Sequence, residues 1–170
     1  MKTLHVVGFK NSGKTTLISR WIHLVKKQGL SVAVLKHHGH KSPLDMPDAN
    51  TDSMQFLNSG ANVSAVCGGG AVQFHMNEEL RFMQMKEIAS IGNPDILLIE
   101  GYKEETGEKV VLLRSQKDWD ELKGLGDIQL VVEQSDNRVD FQPSISRSHE
   151  EQLDSWFLSW LGEGVQSETI

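Results

Sequence analysis

Gly8-Phe9-Lys10-Asn11-Ser12-Gly13-Lys14-Thr15 is the stretch that decides how this chain folds. It carries the spacing G-x-x-x-x-G-K-[ST] without a mismatch, and each fixed position has a chemical reason. Glycines at both ends permit backbone angles that turn successive N–H groups inward around an anion. A helix starting at Lys14 presents its unpaired N–H groups and the positive end of its dipole to the same anion. Lys14 supplies a point charge for the outer phosphates. Thr15 offers a hydroxyl to Mg²⁺, with Thr16 close behind. The four fixed positions match by chance in roughly one chain in two hundred of this length. Context decides against chance, because the motif must lie between a strand and a helix.

Both flanks meet that condition. Residues 4–7 are apolar and short enough for a buried strand ending at Gly8. Beyond Lys14, the residues Leu17, Ile18, Trp21, Ile22, Leu24 and Val25 recur at helical spacing, and Gly29 is placed to end the helix. Residues 32–35 are a second apolar strand, so residues 4–35 form a strand–helix–strand unit with a parallel pair. Residues 37–51 read as a loop. A short helix follows, with Asp52 or Ser53 as its cap. Residues 62–66 and 71–75 are expected to pair as an antiparallel hairpin or edge. Further helices are expected at 82–91, 118–122 and 150–161, and buried strands at 96–99, 110–113 and 128–132. Residues 135–148 look polar and irregular. The fold class is α/β: a doubly wound, mostly parallel sheet flanked by helices, of the P-loop NTPase type, in a single domain over residues 1–170.

Three further clusters carry chemistry. Residues 95–101, Asp-Ile-Leu-Leu-Ile-Glu-Gly, form an apolar strand ending in a carboxylate, the placement of a residue that holds Mg²⁺ or orients water beside a phosphate loop. Glu100 is that candidate, while Asp95, at the far end of the strand, reads as a turn residue. After the second strand, Lys36-His37-His38-Gly39-His40-Lys41 gathers cationic groups at the edge where ligands bind in such sheets. They can serve a second anion, a zinc ion through His37, His38 and His40, or a plain solvated loop. Asp52 is either an N-cap or a second carboxylate near Mg²⁺. No Asn-Lys-x-Asp stretch for reading guanine exists, and Asp136 is the residue placed to take that role.

The 170 residues carry a net charge of −6, with 38% hydrophobic and 24% charged residues. An acidic chain is a poor general ligand for nucleic acid, and any bound anion must be held by local cations. The only cysteine, Cys67, excludes an internal disulfide. No apolar run is long enough for a membrane span, so a cytoplasmic location is expected.

The chain resembles the molybdopterin-guanine dinucleotide biosynthesis adaptor protein B family. The resemblance rests on residues 8–17 and on Leu35-Lys36-His37-His38. It continues through Thr51-Asp52-Ser53 and Ser59-Gly60-Ala61, then Ile99-Glu100-Gly101-Tyr102-Lys103 and Ser135-Asp136. It runs from residue 4 to about residue 136, and the last 30 residues match poorly. It implies a dimeric GTP-binding accessory protein that assists attachment of GMP to molybdopterin, or delivery of the product to molybdenum enzymes. GTP and Mg²⁺ are the implied cofactors, with molybdopterin or its guanine dinucleotide as a further ligand. A molybdenum cofactor nucleotidyltransferase and molybdoenzymes are the implied partners. By the same match Gly8, Asn11, Ser12, Gly13, Lys14, Thr15 and Thr16 hold phosphate, Thr15, Asp52 and Glu100 hold the metal, and any GTP hydrolysis is slow.

Two other readings share the loop. A small-molecule kinase is expected to add an arginine-rich lid, but the five arginines (Arg20, Arg81, Arg114, Arg138 and Arg147) are dispersed in sequence. A metallochaperone GTPase would use the histidines to carry nickel or zinc.

Overall fold

The computed structural model describes residues 1–39, 43–134 and 139–162. The chain divides into two compact units, Met1–Gly39 with Lys86–Ile170, and His40–Met85.

The first unit is built on β1 (Lys2–Gly8), β2 (Val32–Lys36), β5 (Ile96–Glu100), β6 (Lys109–Leu112), β7 (Ile128–Glu133) and β8 (Ser144–Ser146). These form one sheet in the order β2-β5-β1-β6-β7-β8. All five neighbour pairs are parallel. In the centre Leu4 lies opposite Leu98 of β5, and Val6 opposite Val110 of β6. β5 is buried at every position, as its unbroken apolar run requires of a strand covered on both faces.

Period-two alternation sorts the side chains onto two faces. Leu4, Val6, Ile96, Leu98, Val110, Leu112, Leu130 and Val132 join Trp21 of α1 (Lys14–Lys27) and Phe157 of α5 (Glu150–Gly162) in one core cluster. Val7, Val111 and Val131 join Trp119 and Leu122 of α4 (Gln116–Leu122) in the other. The doubly wound arrangement expected from the alternation of elements is therefore present. On the first face the Trp21 and Phe157 rings stack with centroids 4.4 Å apart and planes 4° from parallel.

At the amino ends of the strands, Asp95 ties β2 to β5 by accepting bonds from the Ser31 N–H (2.7 Å) and hydroxyl (2.6 Å). This fits its reading as a turn residue remote from Glu100. At the carboxyl ends the chain leaves β1 toward β2 and leaves β5 toward β6. These two neighbours are thus connected in opposite directions. The divergence opens a crevice beyond their carboxyl ends, where ligands bind in open α/β sheets.

The second unit holds α2 (Asp52–Asn58) and the hairpin of β3 (Val63–Gly68) with β4 (Ala71–Met76), while α3 (Phe82–Ala89) runs across the division of the chain. β3 and β4 form a sheet of their own, turning through Gly69 and Gly70, rather than an edge of the six-stranded one. The N-cap of α2 is Thr51, not Asp52 or Ser53. The Thr51 hydroxyl donates to the Asp48 carbonyl (2.9 Å), and Asp52 falls in the first turn, where its charge suits the helix dipole. In the stretch expected to be irregular, the described residues 139–148 include β8. Among the described residues no helix is long and apolar enough to cross a membrane.

Candidate functional site

The loop between β1 and α1 occupies the mouth of the crevice. Its backbone takes left-handed values at Asn11 (φ 62°) and Gly13 (φ 89°). Asparagine tolerates this region better than most side chains, and Gly13 enters it freely. Such turns aim consecutive N–H groups into a concavity that suits an anion. Gly8 has a second constraint: a Cβ there would stand 2.5 Å from the Leu112 carbonyl oxygen and 2.7 Å from Ser12 Oγ. Ser12 is fully buried, and its hydroxyl has no partner among the described residues.

Lys14 curls back over the loop and donates to the Phe9 carbonyl at 2.9 Å. Its ammonium is held below the ordinary lysine pKa, first by burial; Glu100 opposes the shift, and the charges of Lys36 and Arg114 add to it. The Thr15 hydroxyl donates to Glu100 Oε2 at 3.0 Å, and Lys36 Nζ lies 3.7 Å from Glu100 Oε1. Glu100 itself is buried at the end of β5. Lys14 with Thr15, Lys36 and Glu100, from three separate stretches of sequence, thus meet at the carboxyl ends of β1, β2 and β5. A hydroxyl and a carboxylate in contact are oxygen donors of the kind Mg²⁺ takes, and the lysine beside them has the charge to suit phosphate oxygens.

The remaining candidates fall as follows. His37 leaves β2 with its N–H donating to the Glu100 carbonyl (2.9 Å), and its ring packs against Tyr102 at 4.6 Å. A Cβ on Gly101 would meet His37 Cβ at 3.1 Å, so this glycine lets the two strand ends approach. His38 is exposed, as is Thr16 at the start of α1. Asp52 belongs to the second unit. His40 and Asp136 lie outside the described residues. Among the described residues no three His, Cys, Asp or Glu side chains are grouped to hold a metal ion.

Sequence reasoning gave three cations no place in the site. Arg114, just beyond β6, donates to the Lys10 carbonyl (3.1 Å) and lies 5.1 Å from the centre of the Phe9 ring. It is anchored by Asp118, whose carboxylate accepts from Arg114 N, Nε and Nη2 at 2.8–2.9 Å. Lys103 Nζ lies 5.8 Å from the same ring. Arg147, just after β8, donates through Nη2 to the carbonyls of Ser12 (2.5 Å) and Leu113 (3.2 Å). Arg114 and Arg147, dispersed along the sequence, give no motif, and Lys103 stands in the 99–103 stretch of the resemblance without a role of its own. Only the parallel sheet, which places every strand's carboxyl end on one edge, brings them to the loop.

The sheet order and the loop define a fold of the P-loop NTPase type. The family model described as molybdopterin guanine dinucleotide synthesis protein B matches residues 3–134. The chain belongs to that family. It is 32% identical over 139 residues to the probable molybdopterin-guanine dinucleotide biosynthesis adapter protein of Bacillus subtilis, covering 82% of this chain and 80% of that one. Among solved structures, Bacillus subtilis MobB superposes with a TM-score of 0.81 at 31% identity, over 94% of this chain and 97% of that one. The MobB homologue from Bacillus stearothermophilus gives 0.78 at 30% identity, over 96% and 99%.

Proposed function

We propose that this chain is a GTP-binding adapter of molybdenum cofactor biosynthesis, assisting formation or delivery of molybdopterin guanine dinucleotide. The observation that carries this reading is the convergence of Lys14, Thr15 and Glu100 on one phosphate loop, in a chain whose family is named for that synthesis. The loop residues from Gly8 to Thr16 bind the phosphates. Lys14 leaves the Phe9 carbonyl to neutralise them, and Thr15 and Glu100 hold Mg²⁺, which shields phosphate charge. Lys36, His37 and His38 border the same edge and suit a second anionic group, such as the phosphate of a pterin. The protein acts in the cytoplasm as a homodimer, with a molybdenum cofactor nucleotidyltransferase and molybdoenzymes as its partners.

Intrinsic hydrolysis is slow. Arg114 is engaged by Asp118, and the sequence carries no motif that marks a glutamine to orient the attacking water. Phosphate release by the isolated protein should run on the order of 10⁻⁴ to 10⁻² s⁻¹, the range of unassisted P-loop GTPases. A turnover of many per second would refute this point.

The adapter role is tested by reconstitution. Purified nucleotidyltransferase, molybdopterin, GTP and Mg²⁺ are combined with wild type or with Lys14→Ala, and guanine dinucleotide formation and its transfer to an apo-molybdoenzyme are followed. The wild type should raise yield or transfer, and the variant should not. Equal output with and without the protein at both stages would refute the role.

A further inference from the structure

The cation best placed to act on the phosphate loop from behind is one that no motif includes. Arg147 stands between β8 and α5, beyond the 3–134 span of the family match. Its backbone N–H is fixed to the Glu133 carbonyl (2.8 Å), and its guanidinium reaches across the carboxyl ends of the sheet to Ser12 and Leu113. A Cβ on Gly13 would lie 3.3 Å from Nη1 and 3.4 Å from Cζ, so the plane of the guanidinium lies against the last glycine of the loop.

We propose that Arg147 is a positioning residue of the nucleotide site, holding the Ser12–Gly13 peptide so that the Gly13 N–H faces the phosphates. The inference rests on the nucleotide-binding reading above. Its physical basis is the planarity of the peptide unit. In a trans peptide the carbonyl and the following N–H point in opposite directions, so a donor that captures the Ser12 oxygen turns the Gly13 hydrogen the other way. Gly13 has no intrinsic preference between the two orientations of that peptide, and Arg147 supplies one.

The charge of Arg147 supports the same role. Arg20 is paired with Glu150 and Asp154, and Arg114 with Asp118. Arg147 has only carbonyl acceptors among the described residues, and its buried Nε has no partner there. A half-buried guanidinium without a carboxylate leaves net positive potential beside the loop, which favours an anion over a neutral ligand. The same side chain lines a cleft of about 150 Å³ with Gly13, Thr16, Arg20 and Glu150. This is how the segment from β8 to α5, which the family model leaves out, enters the site.

The test compares wild type, R147Q, R147K and K14A by titration with GTP and with guanosine, alongside unfolding of the free proteins. GTP affinity should fall about 10- to 100-fold in R147Q. R147K should fall less, because it keeps the charge, while guanosine binding stays unchanged in both. A second measurement needs no variant: amide exchange at Gly13 in the wild type should slow on addition of GTP. Wild-type GTP affinity in R147Q, with binding lost in K14A, would overturn the role of Arg147 alone. An equal loss of guanosine and GTP binding would do the same, since it marks a general disturbance of the fold. So would an unprotected Gly13 amide in a GTP-bound wild type. Absence of GTP binding in the wild type would overturn this inference together with the reading beneath it.

Discussion

Lys14 and Gly8 show how single residues set the properties of the loop. Lys14 is depressed by burial and by two neighbouring cations, and it must be charged to hold phosphate. The charged form exists below its pKa, so GTP affinity should decline as pH rises, beginning below the ordinary lysine value of 10.5. Titrating GTP binding against pH checks this, and an affinity constant to pH 11 would exclude Lys14 as the phosphate cation. Gly8→Ala should destabilise the fold by about 1–3 kcal/mol, since its Cβ would press on the Leu112 carbonyl, a backbone group that cannot swing aside. Denaturant unfolding reads that cost. Asp118 gives the acid limit. The Arg114 hydrogen bonds hold its pKa below the ordinary aspartate value of 3.8. A depressed carboxylate stabilises the fold above its unfolded pKa, so this contribution is complete near neutrality and is lost as pH falls from about 4 through the lowered value. Asp118→Asn should weaken the fold at pH 7 and remove that part of the acid transition.

Among the elements, those with strong periodicity were legible in sequence. β1, α1, β2 and β5 follow directly from the apolar spacing around the loop, with ends shifted by a residue or two. β8 was not legible. Three residues, Ser-Ile-Ser, carry no alternation to detect, and they pair with β7 alone at the edge of the sheet. The cap of α2 was placed at Asp52 or Ser53, one or two residues late, because Thr51, Asp52 and Ser53 are all good capping residues, and only backbone angles separate them. α5 was legible as an amphipathic helix, but its partner was not. Phe157 is fully buried and lies between Trp21 and Trp160, with ring centroids at 4.4 and 5.8 Å. Phe157→Ala should therefore cost about 3–5 kcal/mol by denaturant unfolding. A loss below 1 kcal/mol would mean that α5 contributes little to the core.

For the molecule as a whole, composition gives a net charge of −6, whereas the loop edge gathers Lys14, Lys36, Lys103, Arg114 and Arg147. The first two were legible because they sit in or beside motifs. Lys103 stands in the 99–103 stretch, but its approach to Phe9 was not legible, and Arg114 and Arg147 were not legible at all, since a parallel sheet brings them to one edge from strands that are distant in sequence. Thr15 and Glu100 were placed together from sequence, and the structure puts them in hydrogen-bond contact. The division into two units leaves the loop, Glu100 and Arg147 on the same unit. The claim on which the account rests is that this loop binds GTP. The measurement is a calorimetric titration of GTP and of ATP, with and without Mg²⁺, on wild type and Lys14→Ala. The account predicts Mg²⁺-dependent GTP binding, weaker ATP binding, and loss of both in the variant with its fold intact. No GTP binding by the folded wild type, or undiminished binding by Lys14→Ala, would contradict it.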